Sequence, residues 1–181
     1  MTAGRRNPAR EATAGTVMAA DQSMPMGVVI ERRRIDNPWQ DHAWMPVAVI
    51  PGAGPVADWV ALAEGADWVH FHAATLDLEL FRGETEGYRY NLSQPRPTVF
   101  VVLRRGEEAD EPDVVPFLVT ACPYEAEGYL ESGDEIVEGV TMPDQVVAWV
   151  QDFVDRHHVD VPFKKRKNRR LDPRSDGRGR R

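Results

Sequence analysis

The run Val99-Phe100-Val101-Val102-Leu103 constrains the fold more than any other stretch of the sequence. It is apolar at both parities. A strand whose odd and even side chains are both apolar must be covered on both faces, so the run predicts a central, buried strand over residues 98–104. The chain has 181 residues, 42% of them hydrophobic and 28% charged. That is enough apolar surface to cover such a strand in one domain, and too few residues for two comfortable domains.

Other β-rich runs surround it. Residues 27–35 start with Val28, Val29 and Ile30 and run into Arg32, Arg33 and Arg34, before the turn residues Asp36-Asn37-Pro38. Residues 44–50 read as a second strand, closed by the loop Pro51-Gly52-Ala53-Gly54-Pro55. Residues 68–82 form the longest candidate. Leu76, Leu78 and Leu80 share one parity there, while Val69 and Phe71 hold the other. A period-two strand cannot bury both sets without a bulge or a change of sheet near Ala73-Ala74. Residues 83–87 then read as a hairpin turn and 88–92 as a returning strand, broken by residues 94–97. Residues 114–121 follow the central run across an acidic linker, 106–113, which suggests an antiparallel hairpin. Residues 136–140 make a shorter strand. Residues 56–63 read as a short helical turn, and 124–130 fit either a helical turn or an edge strand.

The clearest helix covers residues 143–157. Val146, Trp149, Val150, Phe153 and Val154 form an apolar stripe at helical spacing. Pro143 suits the first turn, and Thr141 stands three before Asp144 as a weak capping box. Pro162 stops any continuation. About six strands and one helix predict an α+β fold: an antiparallel sheet, or a partly closed small β-barrel, packed by one C-terminal helix.

Residues 1–23 lack periodicity and read as a disordered lead-in, with Met24 and Met26 as alternative starts. The globular domain is expected over residues 24–163, followed by a disordered basic tail at 164–181. That tail holds ten Lys and Arg against Asp172 and Asp176, so it carries +8, and the net −7 of the chain leaves −15 on the rest. No stretch approaches the roughly 18 apolar residues of a membrane span. The lone Cys122 cannot form an internal disulfide. Both points lead to the expectation of a cytoplasmic protein without membrane contact.

Few side chains are spaced for chemistry. His70 and His72 lie two apart on a strand, so they share a face. With His42 or Cys122 they are the weak candidates for a metal site, against ordinary strand histidines as the plainer reading. His157-His158 closes the helix, where an imidazole suits the dipole, and His157 is four residues after Phe153. Cys122 reads as a structural thiol, since Glu125 and Glu127 nearby in sequence would raise its pKa. The 51–55 loop lacks a phosphate-binding pattern. Glu107, Glu108, Asp110, Glu111 and Asp113 read as a solvated loop. No catalytic set and no cofactor site emerges.

Several separated segments resemble the uncharacterised bacterial family named domain of unknown function 3305. They are Trp39-Gln-Asp-His-Ala-Trp-Met-Pro46, the stretch from Leu78 to Leu92, Val119-Thr-Ala-Cys-Pro-Tyr-Glu-Ala126, Val137-Glu-Gly-Val-Thr-Met-Pro143, Trp149 to His158, and Pro162-Phe-Lys-Lys-Arg-Lys167. The resemblance spans Met26 to Lys167. Members are often encoded beside molybdenum-dependent formate dehydrogenases, so the resemblance implies an accessory role in assembly or maturation of that enzyme. It carries over no site residues.

The expectation is therefore a non-enzymatic accessory or interaction protein with a protein partner, formate dehydrogenase components among the candidates. Trp39 and Trp44, beside Pro38 and Pro46, are the candidate contacts, because tryptophan dominates interface hot spots. The basic residues Lys164, Lys165, Arg166, Lys167, Arg169 and Arg170 are the others. They also open an alternative, nucleic-acid binding through the tail, although only Phe163 stands by for base stacking.

Overall fold

The chain folds into seven strands and three helices among the described residues, 19–106 and 112–160 of a computed structural model. In order these are β1 (Gln22–Arg34), β2 (His42–Pro51), β3 (Val60–Glu64), β4 (Trp68–Leu80), α1 (Thr85–Leu92), β5 (Thr98–Arg105), β6 (Val114–Thr120), α2 (Pro123–Ser132), β7 (Ile136–Thr141) and α3 (Asp144–His157). A 3-10 turn, Arg82–Glu84, leads into α1. The strands make two antiparallel sheets, ordered β2-β1-β4-β3 and β6-β5-β7. The α+β class and the antiparallel pairing hold as expected. The sheets stay separate and do not close into a barrel, and two further helices accompany the C-terminal one.

The parity conflict in β4 is resolved by a bulge. Val28 pairs with Ala74 and Val29 with His72, which leaves Ala73 as an extra residue. Past that slip Phe71 faces Ile30 and Val69 faces Arg32, while Leu76 faces Met26 and Leu78 faces Met24. All of these β1 partners are even-numbered, so Val69, Phe71 and the three leucines point to one face of the sheet. The β1–β2 ladder slips one position along β1, pairing Val29 with Ala48 and Ile30 with Pro46. Two slips at one level bend the four-stranded sheet there.

The inner face so produced carries Met26, Val28, Ile30, Leu76, Leu78 and Leu80 into the main core. The second sheet meets it with Val99, Val101 and Leu103 of β5. Val102 turns the other way and packs with Phe117 and Leu118, against which Tyr129 of α2 and Val137 rest. β5 is thus the covered central strand of its sheet, as its sequence requires. Helix α3 adds Val146, Val150, Phe153 and Val154 to the main core. Trp149 of the same stripe is half-buried and donates its Nε1–H to Gln22 Oε1 at 2.9 Å.

Three expectations fail for physical reasons. Residues 88–92 form helix α1, not a strand, and the supposed hairpin turn at 83–87 is the 3-10 turn and first helical turn. Thr85, Tyr88 and Asn91 are buried at three-residue spacing. Tyr88 accepts a hydrogen bond from the Phe81 N–H at 3.1 Å and donates to Glu84 Oε2 at 2.8 Å. Asn91 donates to the carbonyls of Thr98 and Ala121 and accepts from the Thr98 N–H. These tertiary bonds override the alternation of Tyr88, Tyr90 and Leu92. Residues 60–64 are an edge strand, β3, in place of a helical turn, held by its ladder to β4. The capping box does not form: Pro143 occupies the N-cap position of α3 with no side-chain bond. The undecided 124–130 stretch is helical, with Pro123 in the first turn of α2 and Gly133 ending it at φ 74°. β1 begins at Gln22, two residues ahead of the expected domain start. No described helix is long and apolar enough to cross a membrane.

Phe153 is fully buried, edge-on to Tyr88 with ring centroids 6.2 Å apart. Truncating such a ring costs about 3–5 kcal/mol. Phe153→Ala is expected to lower the stability of the domain by that amount in urea unfolding followed by circular dichroism. A loss below about 1 kcal/mol would contradict the packing of α3 described here.

Candidate interaction site

The β1–β2 hairpin of the four-stranded sheet meets the smaller sheet where Trp44 of β2 reaches Asp113 ahead of β6. Register sets Arg32 of β1 beside Trp44 of β2 and Val69 of β4. Trp44 meets Trp59 edge-on at 5.5 Å, Trp59 meets Phe71 at 5.5 Å, and His42 lies 6.4 Å from Trp44. The Arg32 guanidinium stands 5.4 Å from the Phe71 ring centre and 5.9 Å from that of Trp44, within cation–π range. Trp44 donates its Nε1–H to Asp113 Oδ2 at 3.0 Å, which ties the hairpin to the start of β6.

Between these walls runs an open groove of about 690 Å³, lined by Trp39, His42, Trp44, Arg105, Asp113 and Ile136 among others. Trp39 stands at its rim and is 92% exposed. Its turn is fixed by Asn37, whose side-chain oxygen accepts the Trp39 N–H at 2.9 Å. The ring itself has no aromatic neighbour among the described residues. The two sequence candidates therefore come together, in different states: Trp44 packs against the core, and Trp39 is presented to solvent. Trp59, Phe71, Arg32 and Asp113 were missed as members of this site. In the sequence Phe71 showed only its strand parity, Arg32 was one of three successive arginines and Asp113 part of an acidic loop, because long-range pairing assembles them. Lys164, Lys165, Arg166, Lys167, Arg169 and Arg170 lie outside the described residues.

His70 and His72 share the outer face of the sheet, as expected, but have separate partners. His70 Nε2 is 2.9 Å from Glu31 Oε2, and its ring lies tilted against Trp68 with centroids 4.3 Å apart. Glu31 is only 6% exposed and also accepts two bonds from Arg33, at 2.7 and 3.0 Å. The Arg33 hydrogen bonds hold the Glu31 carboxyl below its usual value, against burial, with His70 adding to the effect. His72 Nε2 is 3.0 Å from Thr75 Oγ1. The Thr75 hydroxyl donates to the Gly54 carbonyl at 2.7 Å, so it accepts from His72. This chain of bonds pins the loop after β2 across the outer face. A Cβ on Gly27 would lie 2.8 Å from both His72 Nε2 and Ala53 Cβ, which is why glycine stands where the loop crosses. No cluster of three His, Cys, Asp or Glu able to hold a metal occurs among the described residues.

Cys122 is buried at the N-cap of α2. Burial pushes its thiol up, and the nearby charges of Glu84 and Glu125 add to that; backbone N–H groups of the helix start oppose it without prevailing. Such a thiol is a poor nucleophile at neutral pH. Glu84 was invisible as a neighbour in the sequence. The His157 ring packs 4.7 Å from Phe153, along the apolar stripe. His158 caps the end of α3 and bridges to α1: Arg89 donates to its Nε2 at 2.9 Å, and its Nδ1 lies 3.2 Å from Thr85 Oγ1. A second depression, about 490 Å³, opens there beside Tyr90 and Tyr124, stacked at 6.2 Å.

Glu31 supplies a pH test. Its folded pKa is depressed, so its stabilising effect is complete above the usual value of 4.5 and is lost as pH falls through the lower folded value. Glu31→Gln is expected to destabilise by on the order of 1 kcal/mol at pH 7, a figure discounted for the half-exposed Arg33. The gap between the two proteins should narrow as pH falls below 4.5 and close once pH is below the lowered folded value. A gap that stays constant across acid unfolding would contradict the ion pair.

Residues 25–167 match the family described as protein of unknown function DUF3305, and the chain belongs to that family. No curated protein and no solved structure shows significant similarity to it.

Proposed function

We propose that the chain is a non-catalytic docking protein that binds a protein partner through the Trp39–Trp44 groove. One observation carries the reading: a tryptophan 92% exposed on a hydrogen-bonded turn, at the rim of an aromatic groove. An exposed indole of this kind contributes nothing to the core, and its burial against a partner is among the strongest single contributions at interfaces. The groove offers Trp44, Ile136 and Val114 as an apolar floor with Asp41, Asp113 and Arg105 beside it, the mixture of apolar centre and polar rim that protein contacts use. The buried Cys122 thiol lies outside the groove lining, with its pKa raised by burial. The family resemblance supplies the partner we propose, a component of a molybdenum-dependent formate dehydrogenase, in an assembly or maturation role.

The test compares the protein with Trp39→Ala in calorimetric titration against purified formate dehydrogenase subunits. Trp39 has no core contact, so the substitution should leave thermal stability unchanged while weakening binding about 30-fold or more. Equal binding by both proteins would remove the groove from the interface. No binding by either would remove the partner.

A further inference from the structure

Carboxylates outnumber arginines in the lining of the groove and of the depression beside it. Asp41 lines both the groove and an adjoining depression that also holds Asp36 and Asp67. None of these three carboxylates has an ion pair among the described residues; Asp67 acts on Arg33 only as a neighbouring charge. The Asp113 carboxylate, on the opposite wall, accepts the neutral Trp44 N–H and has no ion pair among the described residues. Arg34 and Arg105 are the cations in the two linings, so four carboxylates outweigh them by two charges. The same region presents the bare Trp39 ring, a surface that favours a guanidinium or ammonium laid against it. A ligand that fits would be extended, cationic, and long enough to cover both depressions.

The chain carries such a segment. Residues 164–181 hold ten Lys and Arg against two Asp. The described residues end at 160, leaving 21 residues beyond them. Fully extended, those 21 residues reach about 70 Å, nearly twice the roughly 40 Å width of a domain this size. Tethering on one chain also replaces a bimolecular encounter by a local concentration on the order of millimolar.

We infer that the basic C-terminal segment docks in cis on the Trp39–Trp44 groove. Its cations sit against Asp36, Asp41, Asp67 and Asp113, and one of them covers the Trp39 ring. The inference rests on the groove being a docking site and adds its resident occupant: a partner must displace the tail to enter. Exposed charges dominate the contact, so salt weakens it steeply.

The test uses the full chain alone, with no partner present, so it is independent of the formate dehydrogenase titration. The Trp39 indole N–H resonance, assigned with Trp39→Phe, is compared between the natural protein and a full-length variant with the ten Lys and Arg of 164–181 replaced by Gln. The resonance should differ between the two at low salt. In the natural protein it should move to the variant's position as salt rises toward about 1 M, where the Debye length is about 3 Å. Superimposed resonances at every salt concentration would overturn the inference. A difference that grows with protein concentration would also overturn it, by assigning the tail to the groove of a second copy.

Discussion

A β-strand presents its side chains with a period of two, so apolar residues of both parities reach one face only if a residue is inserted between them. In β4 that residue is Ala73. Because of it Val69 and Phe71 join Leu76, Leu78 and Leu80 on the inner face, and His70 and His72 are turned outward. The outward histidines meet Glu31 and Thr75, which seat the ion pair with Arg33 and pin the crossing loop. The inward Phe71 meets Trp59, which meets Trp44. The ladder to β2 slips beside the same point, and Trp44 of the hairpin bonds Asp113 ahead of β6. Strand parity thus sets the aromatic chain Phe71–Trp59–Trp44, whose last ring lines the groove.

Much of this was legible along the chain. The bulge near Ala73-Ala74 follows from residue parity alone. The central position of β5 follows from its apolar character on both faces, and α3 from a stripe whose members at 146, 150, 153 and 154 are all buried. What escaped was decided by distant partners. Helix α1 displays Tyr88, Tyr90 and Leu92 like a strand, yet Tyr88 and Asn91 are claimed by Phe81, Glu84, Thr98 and Ala121, and those bonds require a helix. Strand β3 buries no residue, so its sequence carried no face to read.

The site divides in the same way. Trp39 and Trp44 stood out as aromatic residues beside prolines, and they share one groove. Nothing local distinguished the ring that packs from the ring that is bare. Only the register between β1, β2 and β4, together with the Asp113 bond from another sheet, separates them. The histidines and the cysteine had chemical appeal in the sequence and lose it in the fold: each histidine of the pair has its own partner, and the thiol is raised by burial. What remains at the groove is an exposed indole with aspartates that have no ion pair among the described residues, the features on which the proposed docking rests.

Deleting Ala73 tests the parity account most directly. Without that residue one half of β4 must turn over, taking either Phe71 away from Trp59 and Arg32 or the three leucines out of the core. The variant is expected to lose cooperative unfolding and its near-ultraviolet circular dichroism. A variant that unfolds cooperatively with the stability of the natural protein would contradict the account.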